Sequence, residues 1–131
     1  VEFELGRDPW CGRADLDLRF YCDPREFLPS PDMLYRNDGS GSFAEVGQTV
    51  GLNHLANGLG VVCADFDEDG YQDVYVANDM MENLLYRNLG NGRFSEIGLV
   101  AGVAVSGDGV SQAGMGVDAE DADNDGDIDL L

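Results

Sequence analysis

Two nine-residue segments of this chain carry aspartates at the same alternating positions. The first is Asp65-Phe-Asp-Glu-Asp-Gly-Tyr-Gln-Asp73 and the second is Asp121-Ala-Asp-Asn-Asp-Gly-Asp-Ile-Asp129. Protein-bound calcium takes about six to eight oxygen ligands, and a loop with acidic residues at positions 1, 3 and 5 supplies several of them. Glycine at position 6 allows a sharp turn because it adopts positive φ without a steric cost. The shared pattern D-x-D-x-D-G-x-x-D therefore predicts two calcium-binding loops.

Each loop is expected to offer carboxylates from positions 1, 3, 5 and 9 and the backbone carbonyl of position 7. The predicted ligands of the first loop are Asp65, Asp67, Asp69, Tyr71 (carbonyl) and Asp73, and those of the second are Asp121, Asp123, Asp125, Asp127 (carbonyl) and Asp129. An acidic hairpin without a cation is the alternative, but it would leave four carboxylates repelling one another. An EF-hand is excluded because its position 12 is a glutamate between helices, whereas position 12 here is Val76.

The charge of the chain is concentrated in these two regions. The formal net charge is −19, and 12 of the 26 acidic residues lie at positions 65–73 and 118–129. Phosphate binding requires Lys and Arg, of which there are only seven, so nucleic acid is not an expected partner. No apolar run reaches the roughly 20 residues of a membrane-spanning helix. The chain begins without Met or a signal-peptide pattern, and we interpret it as an internal fragment of a longer protein.

Three cysteines bear on the compartment of the protein. Cys11 and Cys22 are 11 positions apart in the sequence, and a disulfide between them would fit an extracytoplasmic protein, although two reduced thiols are the open alternative. Cys63 lies in an apolar run and is predicted to be a small buried side chain. Zinc is not expected, because no second histidine or close cysteine pair completes a tetrahedral site.

An internal repeat must position the two loops. Residues 34–47 match residues 85–98 at nine of fourteen positions, and the acidic loops themselves repeat at a spacing of 56. Each unit predicts a short strand (Leu-Tyr-Arg-Asn), a tight turn, a half-buried strand of alternating pattern, and a hairpin whose tip is the acidic loop. Four antiparallel strands in about 50 residues are typical of a β-propeller blade, so we predict an all-β fragment of about two blades and part of a third.

These motifs resemble the FG-GAP/VCBS repeat, which also builds the propellers of integrin α-subunits. The Tyr-Arg-Asn, Gly-x-Gly-x-Phe and Gly-Met-Gly-Val elements are most similar to the branch that contains cartilage acidic protein and its bacterial ASPIC/UnbV relatives. The resemblance covers roughly residues 11–131 and implies that the loop aspartates ligate calcium. The expected organisation is an N-terminal segment (1–30), a first repeat (31–82) and a second repeat (83–131) cut short before any ASPIC/UnbV segment.

The remaining candidates for chemistry are few. His54 is the only histidine and has no nucleophile beside it in the sequence, so a packing or surface role is expected. The recurring aromatics Tyr35, Tyr86, Phe43 and Phe94 are predicted to lie in the core. Trp10 could serve either packing or ligand contact.

The expected function is a calcium-binding, extracellular, periplasmic or cell-surface propeller module for adhesion or recognition of a protein or glycan, with calcium in a structural role. We expect it not to be an enzyme. The alternative is a propeller-fold polysaccharide lyase or hydrolase whose active site lies largely outside this fragment.

Overall fold

A computed structural model describes residues 9–131 of the 131-residue chain. The regular structure of the chain is mostly antiparallel β-strand, as predicted. In order, the strands are β1 (Gly12–Arg13), β2 (Leu18–Arg19), β3 (Ser30–Pro31), β4 (Tyr35–Asn37), β5 (Phe43–Glu45), β6 (Leu55–Ala56), β7 (Gly58–Ala64), β8 (Asp73–Met81), β9 (Leu84–Asn88), β10 (Phe94–Glu96), β11 (Gln112–Ala113), β12 (Ala119–Glu120) and β13 (Asp129–Leu130). Two single-turn helices, α1 (Gly47–Val50) and α2 (Gly98–Ala101), and two 3₁₀ turns (Ala14–Leu16 and Pro24–Glu26) complete the described part.

The centre of the molecule is a blade-like sheet in the order β10-β9-β8-β7, with every pairing antiparallel. Strands β7 and β8 form the predicted hairpin around the first acidic loop, from Ala64 paired with Asp73 to Gly58 paired with Asn78. β11 continues the same sheet along the far end of β8. The sheet takes strands from both sequence repeats, since β7 and β8 come from the first and β9 and β10 from the second.

Two incomplete blades flank the central sheet. β4 and β5 form a separate hairpin that repeats β9 and β10 in sequence, and β12 and β13 form the hairpin around the second acidic loop. The structure is therefore a partial propeller that does not close. The expected strand of Leu-Tyr-Arg-Asn is confirmed in both repeats, whereas α1 and α2 occupy stretches expected to be irregular connections.

The two faces of the central sheet carry separate apolar clusters. One contains Leu52, Ala56, Val76, Leu84 and Tyr86. The other contains Tyr75, Ala77 and Leu85, against which Val117 and Leu130 of the second hairpin region pack. Burial of a large apolar side chain contributes about 1.5–3 kcal/mol, so these two clusters are the main source of stability.

Several burial predictions are corrected by the structure. Cys63 is exposed, because alternation along β7 turns it to the uncovered side of an edge strand. Tyr35 is 55% exposed and Phe43 is 63% exposed, although their repeat counterpart Tyr86 is fully buried and Phe94 packs against the core. Strand β5 is exposed throughout instead of half-buried. The hairpin of the first repeat has the aromatic pattern of a core, but within residues 9–131 β4 pairs only with β5.

A disulfide joins Cys11 to Cys22 and closes the small β1–β2 hairpin. Of the two possibilities that the sequence left open, a disulfide or two reduced thiols, the structure has the disulfide. None of the helices in residues 9–131 is long and apolar enough to cross a membrane.

Candidate metal centres

The first acidic loop brings three of its predicted ligands together. Carboxylate oxygens of Asp65, Asp67 and Asp73 all lie within 4.8 Å of one another. The loop connects β7 to β8, so Asp65 follows one strand directly and Asp73 begins the next. The pairing of the two strands therefore fixes the distance between the first and last ligand of the loop.

Backbone N–H groups hold these carboxylates in place. Asp65 accepts from the N–H groups of Asp69 (3.1 Å) and Gly70 (2.8 Å). Asp73 Oδ2 accepts from the N–H of Phe66 at 3.1 Å, which ties the two ends of the loop together. The aspartates at positions 1 and 9 are thereby oriented by the fold before any ion is considered.

The second loop repeats this geometry. Carboxylate oxygens of Asp121, Asp123 and Asp129 lie within 4.8 Å of one another. Asp121 accepts from the N–H groups of Asp125 and Gly126, both at 3.1 Å, and Asp129 Oδ2 accepts from Ala122 at 3.0 Å. Two loops of different sequence therefore share one hydrogen-bond pattern.

The backbone of both loops turns at the same two positions. Glu68 and Asn124, at position 4, have φ of 57° and 63°. Gly70 and Gly126, at position 6, have φ of 90° and 103°, as the sequence predicted for the glycine. A residue without Cβ tolerates this region best, which explains why position 6 is glycine in both loops.

The donor set fits a hard divalent cation. Each triad offers only carboxylate oxygens, the ligands that calcium prefers, and no thiolate or imidazole belongs to either group. A further carboxylate lies nearby on each loop, because Asp69 and Asp125 occupy position 5. The arrangement could hold one ion per loop and would thereby join the two strands of each hairpin.

The residues at positions 5 and 7 of each loop, unlike those at positions 1, 3 and 9, are not part of the carboxylate triad. The Oδ1 atoms of Asp69 and Asp125 accept from the N–H groups of Tyr71 (2.9 Å) and Asp127 (3.0 Å), and neither aspartate belongs to its loop's carboxylate triad. Ligation of an ion remains a prediction for every one of these residues, including the triads at positions 1, 3 and 9.

The two loops are neighbours. The pKa of Glu68 is raised, first by a hydrogen bond between its carboxyl group and that of Asp127 and then by the Asp127 charge, with smaller effects from Asp65 and Asp125. The two acidic loops thus share one electrostatic environment.

The first loop is more deeply embedded than the second. Asp73 is 1% exposed, and its Oδ1 accepts from the N–H of Asn88 on β9 at 2.7 Å. Burial raises the pKa of Asp73 despite this bond. Arg87 lies 3.8 Å from Asp67 and partly offsets the negative charge. Sequence reasoning missed Asn88 and Arg87, although both belong to the repeated Tyr-Arg-Asn motif.

The remaining candidate residues lie apart from the loops. The His54 ring packs against Tyr86, with centroids 5.7 Å apart and His54 Nδ1 3.4 Å from the Tyr86 hydroxyl, which agrees with a packing role. Trp10 is 51% exposed. Cys63 lines a cavity on the first face of the sheet together with Val74 and Val76.

Comparison with known proteins agrees with this architecture. The FG-GAP-like repeat family matches residues 27–76 and 65–131. Cartilage acidic protein 1 of Xenopus tropicalis is 31% identical over 88 residues, which is 67% of this chain but only 13% of that protein. The aligned part is thus a small portion of the relative's length. With repeat matches over most of its length and blade strands in the predicted order, the chain belongs to the FG-GAP-like repeat family.

Proposed function

We propose that this chain is a calcium-binding propeller module in which the ions are structural. The observation that carries the proposal is the pair of matched carboxylate triads, held by the same hydrogen bonds at the tips of two equivalent hairpins. An ion in each loop would bridge the end of one strand and the start of the next. It would also remove the repulsion among carboxylates that the fold otherwise has to tolerate.

We place the module in an extracytoplasmic protein. The Cys11–Cys22 disulfide supports this, because such bonds persist in oxidising compartments. A calcium affinity of about 10⁻⁴–10⁻³ M, usual for extracellular modules, would keep the loops filled outside the cell.

The proposed role of the module is adhesion or recognition of a protein or glycan by the faces of the complete propeller. In this view calcium holds the blades in shape and does not take part in a reaction. The carboxylates of the loops converge as metal ligands, and a carboxylate bound to a cation is a poor general acid, which favours a binding module over a hydrolase.

Calorimetric titration with calcium tests the metal sites. The full chain is expected to bind two ions, whereas Asp65→Ala and Asp121→Ala should each abolish or strongly weaken one site. Asp108→Ala is the matched control, because it removes one negative charge from an exposed turn outside both loops. Absence of binding by the full chain would contradict the proposal. Equal weakening by Asp108→Ala would show that net charge, not the loops, attracts the ion.

A further inference from the structure

The turn that joins β9 to β10 lies against the first acidic loop. The loop ends where β8 begins and the turn follows β9, so the antiparallel pairing of β8 with β9 brings the two together. Tyr71, at position 7 of the loop, lies over Gly90 in the turn. A Cβ on Gly90 would lie 2.6 Å from Tyr71 Cε2 and 2.8 Å from Tyr71 Cζ. Carbon atoms in contact are about 3.5–4.0 Å apart, so the ring occupies the space that a side chain at position 90 would need.

Asn88, the last residue of β9, connects the turn to the end of the loop. Its backbone N–H donates to Asp73 Oδ1 at 2.7 Å, and its Nδ2 donates to the backbone carbonyl of Gln72 at 3.1 Å. Its Oδ1 accepts from the N–H of Gly90 at 3.0 Å. One asparagine therefore holds the last two residues of the loop and also shapes the turn that contacts Tyr71.

These contacts fix the backbone on both sides of the Tyr71 carbonyl, which is a predicted calcium ligand. The N–H of Tyr71 donates to Asp69 Oδ1 at 2.9 Å, and the carbonyl of the following residue, Gln72, is held by Asn88. The Tyr71 ring is held against Gly90. The direction of the Tyr71 carbonyl is thus set in part by a turn, residues 89–93, that contains no acidic residue.

Core packing does not account for the position of Tyr71. The residue is 49% exposed, and within residues 9–131 it belongs to neither apolar cluster of the central sheet. The turn does not need the ring either, because the equivalent turn of the first hairpin has the same bond, from the Gly39 N–H to Asn37 Oδ1 at 2.8 Å. A Cβ on Gly39 would meet no described atom within 4 Å. The close contact at Gly90 therefore serves the loop that carries Tyr71.

We propose that Tyr71 and Asn88 are positioning residues through which the β9–β10 turn sets the calcium affinity of the first loop, a role that rests on the calcium site proposed above. Neither supplies a side-chain ligand. They hold the Tyr71 carbonyl and the Asp73 carboxylate in place, and Gly90 provides the space for the ring. Replacing residues that orient metal ligands typically weakens metal binding about 10–100-fold. Because coupling between sites is reciprocal, calcium in the loop should in turn order the β9–β10 turn.

Two glycines of the turn provide the first test. Asp121→Ala is the parent chain, so that calorimetric titration with calcium reports the first loop. Gly90→Ala should weaken binding about tenfold, because the new methyl group displaces the Tyr71 ring. Gly92→Ala is the matched control and should leave the affinity unchanged, since φ is similar (+78° against +68°) but a Cβ at Gly92 meets no atom within 4 Å. Equal affinities of the two variants would overturn the proposal.

Variants of Tyr71 separate the ring from the backbone carbonyl. Tyr71→Phe keeps the ring and should retain calcium affinity, whereas Tyr71→Ala keeps only the carbonyl and should bind about tenfold more weakly. In the Tyr71→Ala chain, Gly90→Ala should cause no further loss, because the ring that it displaces is already absent. If Gly90→Ala weakens binding equally with and without the ring, backbone strain is the cause and the proposed contact is wrong.

Asn88 has its own matched control in the first hairpin. Asn88→Ala should weaken calcium binding about tenfold, because Gln72 and the turn lose their shared partner. Asn37→Ala removes the equivalent bond to Gly39, away from the first loop, and should not change the affinity. Equal effects of the two substitutions would contradict a positioning role for Asn88.

Hydrogen exchange tests the coupling in the unmutated chain. The N–H of Leu89 donates to the carbonyl of Arg93 at 2.9 Å, and the N–H of Asp38 makes the equivalent bond to Ser42 at 3.1 Å. Calcium should slow exchange at Leu89 and Gly90 but not at Asp38. Equal slowing in both turns would show general stabilisation and would overturn the proposed coupling.

Failure of the metal site and failure of the positioning role give different results. If the Asp121→Ala chain binds no calcium, the first loop is not a metal site and both proposals are overturned. If that chain binds calcium and the substitutions of Tyr71, Asn88 and Gly90 do not change the affinity, the metal site stands and only the positioning role is overturned.

Discussion

Asp73 links the first loop to the body of the sheet. Its two carboxylate oxygens accept from the backbone N–H groups of Phe66 within the loop and of Asn88 on β9. One buried side chain therefore holds the loop and β9 together. The sequence predicted Asp73 as a ligand from the spacing of the aspartates alone. Its second bond could not be predicted, since the contact with Asn88 depends on which strand pairs with β8.

Replacing Asp73 with Asn should destabilise the fold even without metal. The new amide places an NH₂ group where one of two oxygens accepts, so one backbone N–H loses its partner. We expect a loss of about 1–3 kcal/mol in the free energy of unfolding, measured by urea denaturation in the presence of a chelator. Asp129→Asn is the control at the equivalent, more exposed position and should cost less. Equal losses would argue against a special role for Asp73.

Tyr86 should make the fold sensitive to alkaline pH. Burial, assisted by the charge of Asp32, raises the pKa of Tyr86 from 10.0 to about 12. The folded state favours the neutral phenol more than the unfolded state does. The contribution of this difference to the free energy of unfolding is therefore complete below about pH 10 and is lost as the pH rises towards about 12. Between about pH 10 and about pH 12, the free energy of unfolding should decline less steeply for Tyr86→Phe than for the unmutated chain. Tyr35→Phe, at the exposed equivalent position, should leave the decline unchanged.

The strands were predictable because their signals are local. The Leu-Tyr-Arg-Asn and Phe-x-Glu segments alternate in pattern, and both copies form the expected hairpins. The helices α1 and α2 were not predicted, since four residues around glycine carry too little periodicity to be recognised. Their C-cap residues are Gly51 and Gly102, each with positive φ.

These two glycines form a matched pair for a test of packing. Alanine is strained at either position, since φ is +106° at Gly51 and +78° at Gly102. A Cβ at Gly51 would also lie 2.5 Å from the backbone oxygen of Phe94, whereas at Gly102 it meets no atom within 4 Å. Strain alone costs about 1–2 kcal/mol. Gly51→Ala should therefore lower the melting temperature more than Gly102→Ala, and the reverse order would contradict this reading.

At the scale of the whole molecule, the sequence predicted the architecture but not the exposure of its parts. Tyr35, Phe43 and Cys63 have the residue types of a core and yet lie on open surfaces. Which strands lie beside them depends on long-range pairing, and no local pattern carries that information. The clustering of acidic residues is different, because it follows directly from the composition of two short segments.

Calcium should stabilise the whole chain. A net charge of −19 disfavours the compact state, and ions bound at the two loops would neutralise part of it. A ligand present at about 100 times its dissociation constant adds about 2.7 kcal/mol per site. The melting temperature followed by circular dichroism should rise with calcium. Sodium chloride at equal ionic strength should raise it much less, and equal effects would indicate simple screening.

The negative charge of Asp127 close to Glu68 predicts that the two loops do not fill independently if both bind calcium. A first divalent ion would weaken the negative potential at the neighbouring loop and so lower its attraction for a second ion. Filling should therefore occur in two separated steps at low ionic strength, although the loops are built alike. Since the Debye length falls to about 10 Å at 0.1 M salt, added salt should bring the steps together. If added salt does not change the separation between the two steps, the two loops differ in their own affinity for the ion.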